Sequence, residues 1–129
     1  MQRSKNTLVL AAAAAAVVQL GITAQTRAAT INWDGGGADD NLTTPQNWAG
    51  DAVPVAADTA IFLGGTRTTP TTDGSGDITY RTLTFGAGAS AFNIGGPNAL
   101  VLGQTTAGNY LINDTVGVTQ TISAGIKML

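Results

Sequence analysis

The sequence contains no cysteine, no histidine and no glutamate among its 129 residues. The lack of cysteine excludes disulfides, thiolate nucleophiles and Cys-ligated zinc. Histidine is the usual general base and the commonest transition-metal ligand, so its absence removes most hydrolase and metalloenzyme mechanisms. Aspartate alone supplies carboxylates, which leaves Asp-pair chemistry and sites for hard cations such as Ca²⁺. We therefore expect no catalytic residue in this chain.

Basic residues are also scarce. The chain has six Lys+Arg against eight Asp+Glu, and beyond residue 28 only Arg67, Arg81 and Lys127 remain. Binding to nucleic acid requires a cluster of Lys and Arg that neutralises phosphates. Attraction to an anionic membrane surface has the same requirement. We therefore expect neither of these partners.

The first 28 residues have the organisation of a secretory signal peptide. Arg3 and Lys5 precede an apolar run at residues 7–22, and small residues follow, which allow cleavage after Ala24 or Ala28. The run is shorter than the ~20 residues that a spanning helix needs, so no stable membrane span is expected after cleavage. The pattern predicts a helical leader, export through the secretory pathway, and an extracellular or cell-surface location.

Beyond the leader, the residues are typical of short strands and turns. Short apolar triplets recur between Gly, Asn and Ala turns, at residues 83–85, 92–94, 100–102, 111–113 and 120–122. This spacing suits a stacked β-solenoid. A β-sandwich, which spaces strands by roughly 8–12 residues, remains the alternative. The shortness of the triplets and the scarcity of aromatic residues favour the solenoid.

The alternation of apolar residues predicts which side chains point inward. The face switches between Tyr80 and Leu83, by a bulge or a corner, since the apolar positions change parity there. Residues 116–126 form either one half-buried strand or two strands that meet at a bend, with Gln120 on the apolar side. The predicted inward residues are Leu83, Phe85, Phe92, Ile94, Leu100, Leu102, Ile112 and Ile122.

Four oxygen-bearing residues bracket or follow the glycines at 35–37. They are Asp34, Asp39, Asp40 and Asn41. Oxygen ligands on a flexible loop suit Ca²⁺, although the spacing matches no known calcium repeat. A turn rich in Asx residues explains the same pattern. These are the only candidate metal ligands, and no other cofactor is expected.

Trp33 and Trp48 are the only tryptophans. An exposed pair would form a platform for stacking on a sugar ring, and a buried pair would cover a core. The first coil of a solenoid needs such a cover because its strand edge is otherwise unpaired. Both interpretations stay open at this point, with capping favoured.

The order of several short motifs resembles the opening of bacterial exoproteins with autotransporter-associated β-strand repeats. The motifs are WDGGGADDN at 33–41, NW at 47–48, VP at 53–54, DTAIF at 58–62, LTFGAG at 83–88 and QTISA at 120–124. The chain departs from the family at Leu42, where a further Trp is usual. The resemblance implies a right-handed parallel β-solenoid with a structural or surface role, and it carries over no catalytic residue.

Together these observations predict an all-β chain in three parts: a leader (1–28), an N-terminal cap and loop region (29–77), and truncated first solenoid coils (78–129). The expected function is structural or adhesive. The alternatives are a carbohydrate-binding β-sandwich and the N-terminal part of a β-helical enzyme that degrades polysaccharides. Expected partners are extracellular polysaccharide or neighbouring coils of the same protein. A half-apolar strand near Leu129 further suggests that the array continues.

Overall fold

The computed structural model describes residues 28–103 and 110–129, so all of the predicted leader (residues 1–28) except Ala28 lies outside the described part. Within these residues the chain forms nine short strands and a single 3₁₀ turn, Pro45–Asn47, without any α-helix. None of the helical structure described there could cross a bilayer. The strands are β1 (Thr30–Trp33), β2 (Thr59–Phe62), β3 (Ile78–Tyr80), β4 (Thr82–Phe85), β5 (Asn93–Ile94), β6 (Leu100–Leu102), β7 (Leu111–Asn113), β8 (Thr121–Ile122) and β9 (Ile126–Met128).

The strands form three parallel sheets that stack successive coils of one chain. The strand orders are β1-β2-β4-β7, β3-β6-β9 and β5-β8. Isolated parallel bridges from Asn41 to Thr71 and from Thr71 to Gly95 extend the third side toward the first coil. The chain is thus a β-solenoid of about four turns. This confirms the predicted all-β solenoid, and the β-sandwich alternative does not describe the fold.

The in-register pairing of successive coils determines which side chains meet in the core. Parallel in-register pairing places each inward side chain on the corresponding side chain of the next coil. Trp33 pairs with Phe62 and Phe62 with Phe85, with ring centroids 5.7 and 5.6 Å apart. On a second side, Tyr80 pairs with Leu102. Inward positions of neighbouring coils therefore form continuous buried stacks.

Corners between strands depend on glycine where the coils approach closely. Gly96 has φ 113° and follows the bridge residue Gly95. A β-carbon at this position would collide with the backbone and hydroxyl of Thr72 on the preceding coil. A residue other than glycine would be both strained and too large here.

The structure confirms most of the strand predictions. Each of the five apolar triplets coincides with one of the strands β4 to β8. The expected change of face occurs at the corner between β3 and β4, which belong to different sheets. Residues 116–126 do not form one long strand, because β8 and β9 belong to different sheets.

One prediction of an inward residue is wrong. Ile112 is expected to point inward, but it pairs with Thr84 and takes the outward position of the strand. Leu111 pairs with the buried Leu83 and holds the inward position instead. The parity of β7 is fixed by its pairing with β4, which its own three residues do not reveal. Parallel pairing between coils is already present before residue 78, since β1 pairs with β2 from Thr30 to Trp33.

Replacing a stacked core residue should destabilise the whole array. Leu102 is fully buried between two coils, and we expect Leu102→Ala to lower the free energy of unfolding by about 2–5 kcal/mol. Val101→Ala, on the outward parity of the same strand, is the control and should cost less. Urea unfolding measures both, and equal losses would contradict the inward assignment.

Candidate functional site

Both tryptophans lie inside the first coil of the solenoid. Trp33 is 2% exposed and Trp48 is fully buried. Their rings meet edge to face at 5.2 Å, and Trp48 also contacts Tyr80 at a centroid distance of 6.0 Å. The Trp48 indole N–H donates to the Leu42 carbonyl at 2.8 Å. The two rings thus cover the end of the core, and their burial leaves no free face on which a sugar could stack.

Leu42 is fully buried in the same cluster. Its side chain fills core space, and its carbonyl accepts from the indole N–H of Trp48. Leu42 and the two tryptophans therefore fill the core of the first coil together.

The outer edge of β1 is paired by an antiparallel segment, in contrast to the parallel sheets. Trp33 and Trp48 form an antiparallel bridge. The Asp34 N–H donates to the Asn47 carbonyl at 3.0 Å, and the Ala49 N–H donates to the Asn32 carbonyl at 2.8 Å. An unpaired edge strand is a template for pairing with other chains. The segment around Trp48 therefore closes this end of the first sheet; we call residues 34–49 the cap.

Asn47 organises the cap, and sequence reasoning did not single it out. Its side chain is fully buried; Oδ1 accepts from the Gly37 N–H at 2.9 Å. Its Nδ2 donates to the carbonyls of Asp39 at 2.9 Å and Asn41 at 3.0 Å. One side-chain amide thus satisfies three backbone groups of the cap. The only signal in the sequence is an Asn beside the second Trp.

The calcium candidates point to separate partners. Asp34 accepts from a nearby glycine N–H, and Asp39 accepts from the Asn41 N–H at 3.0 Å. Asp40 pairs with Arg67 at 2.9 Å across to the next coil. Across the described ranges, no three acidic residues gather into a group that could hold a metal ion. These residues therefore act as turn and inter-coil contacts in the structure.

Hydrogen bonds lower the pKa of two aspartates, Asp39 in the cap and Asp73 in the next coil. The Thr44 hydroxyl and the Asn41 N–H lower the pKa of Asp39. Ser75 and Thr43 lower the pKa of Asp73 to about 2. Since Thr43 belongs to the cap and Asp73 to the next coil, their 2.5 Å hydrogen bond links the two.

Tyr80 carries a polar atom that the core does not satisfy. Its hydroxyl is buried without a hydrogen-bond partner in the part of the chain that the structure describes. Burial raises the pKa of Tyr80 far above its usual value, so the phenol stays neutral. The ring of Tyr80 packs edge to face against Trp48.

A cavity of about 230 Å³ lies at the opposite end of the solenoid. Its polar lining groups are already engaged: Gln120 accepts from the Phe92 N–H at 2.8 Å and donates to the Ser90 carbonyl at 2.9 Å. The amide of Gln120 thereby bonds the backbone of the coil before it, which explains a polar residue on the apolar side. The lining residues are Phe85, Leu111, Asn113, Gln120, Ile122 and Ile126.

Searches against protein-family models, curated proteins and solved structures give no match for this chain.

Replacing Asn47 tests whether its amide holds the cap. Asn47→Asp keeps the shape but removes the donor, so the carbonyls of Asp39 and Asn41 lose their partner. We expect the free energy of unfolding to fall by about 1–3 kcal/mol. Gln46→Glu makes the same change in charge at an exposed neighbour and should stay within about 0.5 kcal/mol. Equal urea unfolding curves for the two variants would remove Asn47 from this role.

Acid should weaken the contact between cap and second coil. The pKa of Asp73 is depressed from 3.8 to about 2 in the folded chain, so its contribution to stability is present above pH 3.8 and is lost as pH falls toward 2. We expect unfolding midpoints in urea to hold steady near neutral pH and to decline in that window. Asp73→Asn should flatten the decline, and Asp114→Asn, an exposed aspartate in the last coil, should not. The prediction fails if both variants follow the parent curve.

Proposed function

We propose that this chain is an exported, non-catalytic structural module: the capped beginning of a β-solenoid displayed outside the cell. The observation that carries the proposal is the closed first coil, where Trp33 and Trp48 cover the core and an antiparallel segment pairs the edge of β1. A capping coil with a closed outer edge is what a solenoid requires at its terminus. The leader pattern at residues 1–28 supports export.

The forces that hold the molecule favour a mechanical role over a chemical one. Parallel ladders and stacked apolar side chains join the coils throughout the three sheets. In such an array each coil contacts its neighbours, and stability is a sum of the coils and the interfaces between them. The carboxylates of the cap already have partners in the fold. Those of Asp34 and Asp39 accept from turn N–H groups, and that of Asp40 pairs with the next coil.

The outward face of the first sheet supports exposure to an extracellular medium. Thr30, Thr59 and Thr82 occupy one register position on three successive coils. Their hydroxyls form a polar row along the solenoid axis, suited to contact with water, polysaccharide or a neighbouring surface. Since both tryptophans are buried, we assign contact with polysaccharide, the proposed partner, to outward rows of this kind. This assignment extends the resemblance to autotransporter-associated repeats.

Export is tested on the protein recovered from outside its cells. N-terminal sequencing should give a chain that begins at Gln25 or Ala29, since cleavage follows Ala24 or Ala28. Protease added to intact cells should remove the protein from the surface. The control is Leu10→Arg, which interrupts the apolar run and should retain the chain inside. A protein that starts at Met1 and resists external protease would overturn the proposal.

A further inference from the structure

Asp58 is the one charged side chain that the fold buries among the residues that the structure describes. It is 5% exposed and lies directly before β2. The Val55 N–H donates to its Oδ2 at 2.9 Å, and the Ala29 N–H donates to its Oδ1 at 2.7 Å. Neither of the two ion pairs found in the described ranges involves Asp58. Buried charges are ordinarily paired with an opposite charge, so this carboxylate is short of one cation.

No basic side chain supplies that cation. The backbone N–H of Arg81 donates to the Asp58 carbonyl at 2.9 Å, but its guanidinium donates to the Thr59 hydroxyl at 3.2 Å. The other two cations beyond residue 28 are Arg67 and Lys127, and both are paired with other aspartates. A positive charge for Asp58 therefore has to come from a group other than a side chain.

Ala29 lies where the predicted leader ends and β1 begins. Its N–H donates to Asp58, and its carbonyl accepts from the Thr59 N–H at 2.8 Å. Both polar backbone groups of Ala29 are thus bonded to the start of β2. Cleavage after Ala28, one of the two positions that the leader pattern allows, would make Ala29 the first residue of the exported chain. The nitrogen beside Asp58 would then be an α-amino group.

Hydrolysis of this bond turns the nitrogen into the missing cation. A signal peptidase adds water across the Ala28–Ala29 peptide bond: the carbonyl carbon of Ala28 takes the hydroxyl, and the nitrogen of Ala29 takes the remaining proton. An α-amino group has a pKa of about 7.7–8.0, so at neutral pH it binds a further proton from the solvent. Charge-assisted N–H···O bonds are roughly twice as strong as neutral ones. The nitrogen already lies 2.7 Å from Oδ1 of Asp58, so the new bond requires no rearrangement.

The alternative cleavage, after Ala24, would not have this effect. It would leave residues 25–28 in front of Ala29, and the nitrogen beside Asp58 would remain an uncharged amide. The new ammonium group would then lie at Gln25, ahead of the segment that bonds to β2. The buried carboxylate thus distinguishes between two cleavage positions that the leader pattern alone leaves open.

We infer that the exported chain is cut between Ala28 and Ala29, and that the new N-terminal ammonium group pairs with the buried carboxylate of Asp58. The inference rests on the proposed export and goes beyond it, since it assigns the cleavage site and the group that receives the new chain end. Removal of the leader then strengthens the attachment of β1 to β2. The chain gains its full stability only after this processing.

The N-terminus of the exported protein tests the cleavage site. Mass spectrometry of the intact chain should give a single species that begins at Ala29. A chain that begins at Gln25 would overturn the inference and leave export standing. A chain that keeps Met1 would overturn both.

The pairing is tested by moving the ammonium group by one residue. The processed chain is compared with a chain that retains Ala28 as its first residue; each is released from a fusion by a protease that leaves no residue behind. In the longer chain an amide replaces the ammonium group at Asp58. We expect its folding equilibrium constant, measured by urea unfolding, to be about tenfold smaller, equivalent to 1.4 kcal/mol.

Substitution of the carboxylate shows whether this difference arises at Asp58. Asp58→Asn removes the charge and should make the two starting points equally stable. Asp77→Asn is the matched control, because Asp77 pairs with Lys127 of β9, and it should preserve the tenfold difference. If Asp58→Asn fails to fold, the two starting points in the native sequence still decide. Equal stability of those two chains, or a difference that persists in Asp58→Asn, would overturn the inference.

Discussion

Backbone pairing between successive coils places each inward side chain on the side chain at the same position of the coil before it. The stack of Trp33, Phe62 and Phe85 follows from this register, and so does the pairing of Tyr80 with Leu102. A slip of one residue would turn these side chains into solvent. Packing and register are therefore one constraint: the ladders fix where the side chains lie, and the buried stacks hold the ladders in place.

The same constraint poses a problem at β1 that β2 and β4 do not have, because β1 has a parallel partner strand on one side only. At the first coil the problem is solved with tertiary contacts: an antiparallel segment pairs β1, two indoles cover the core, and the buried amide of Asn47 bonds three backbone groups. None of these devices repeats among the described coils. This distinguishes the cap from the coils that follow it, which are joined by parallel pairing.

Sequence reasoning located the strands of the later coils well, because short apolar triplets between turns carry a local signal. It could not find the coil period, since Thr30 pairs with Thr59 and Thr59 with Thr82, at unequal separations set by the connecting loops. The error at Ile112 has another cause: three residues of a strand do not define which face is buried until the neighbouring strand is known. The role of Asn47 depends on carbonyls of two other loop residues, so no pattern in its own neighbourhood reveals it.

The fourth coil shows how the stacking rule weakens along the array. Asn113 stands at the register of Phe85, so the aromatic stack ends there. Its side chain accepts from the Thr115 N–H at 3.1 Å and serves the following turn rather than the core. Gln120 replaces apolar contact with two hydrogen bonds to the third coil. Both side chains line the cavity beside Phe85, where the preceding coils place aromatic rings. Stability in a stacked array is a sum over neighbouring interfaces, so replacing ring contacts with the polar contacts of Asn113 and Gln120 lowers the apolar share of that sum between the third and fourth coils.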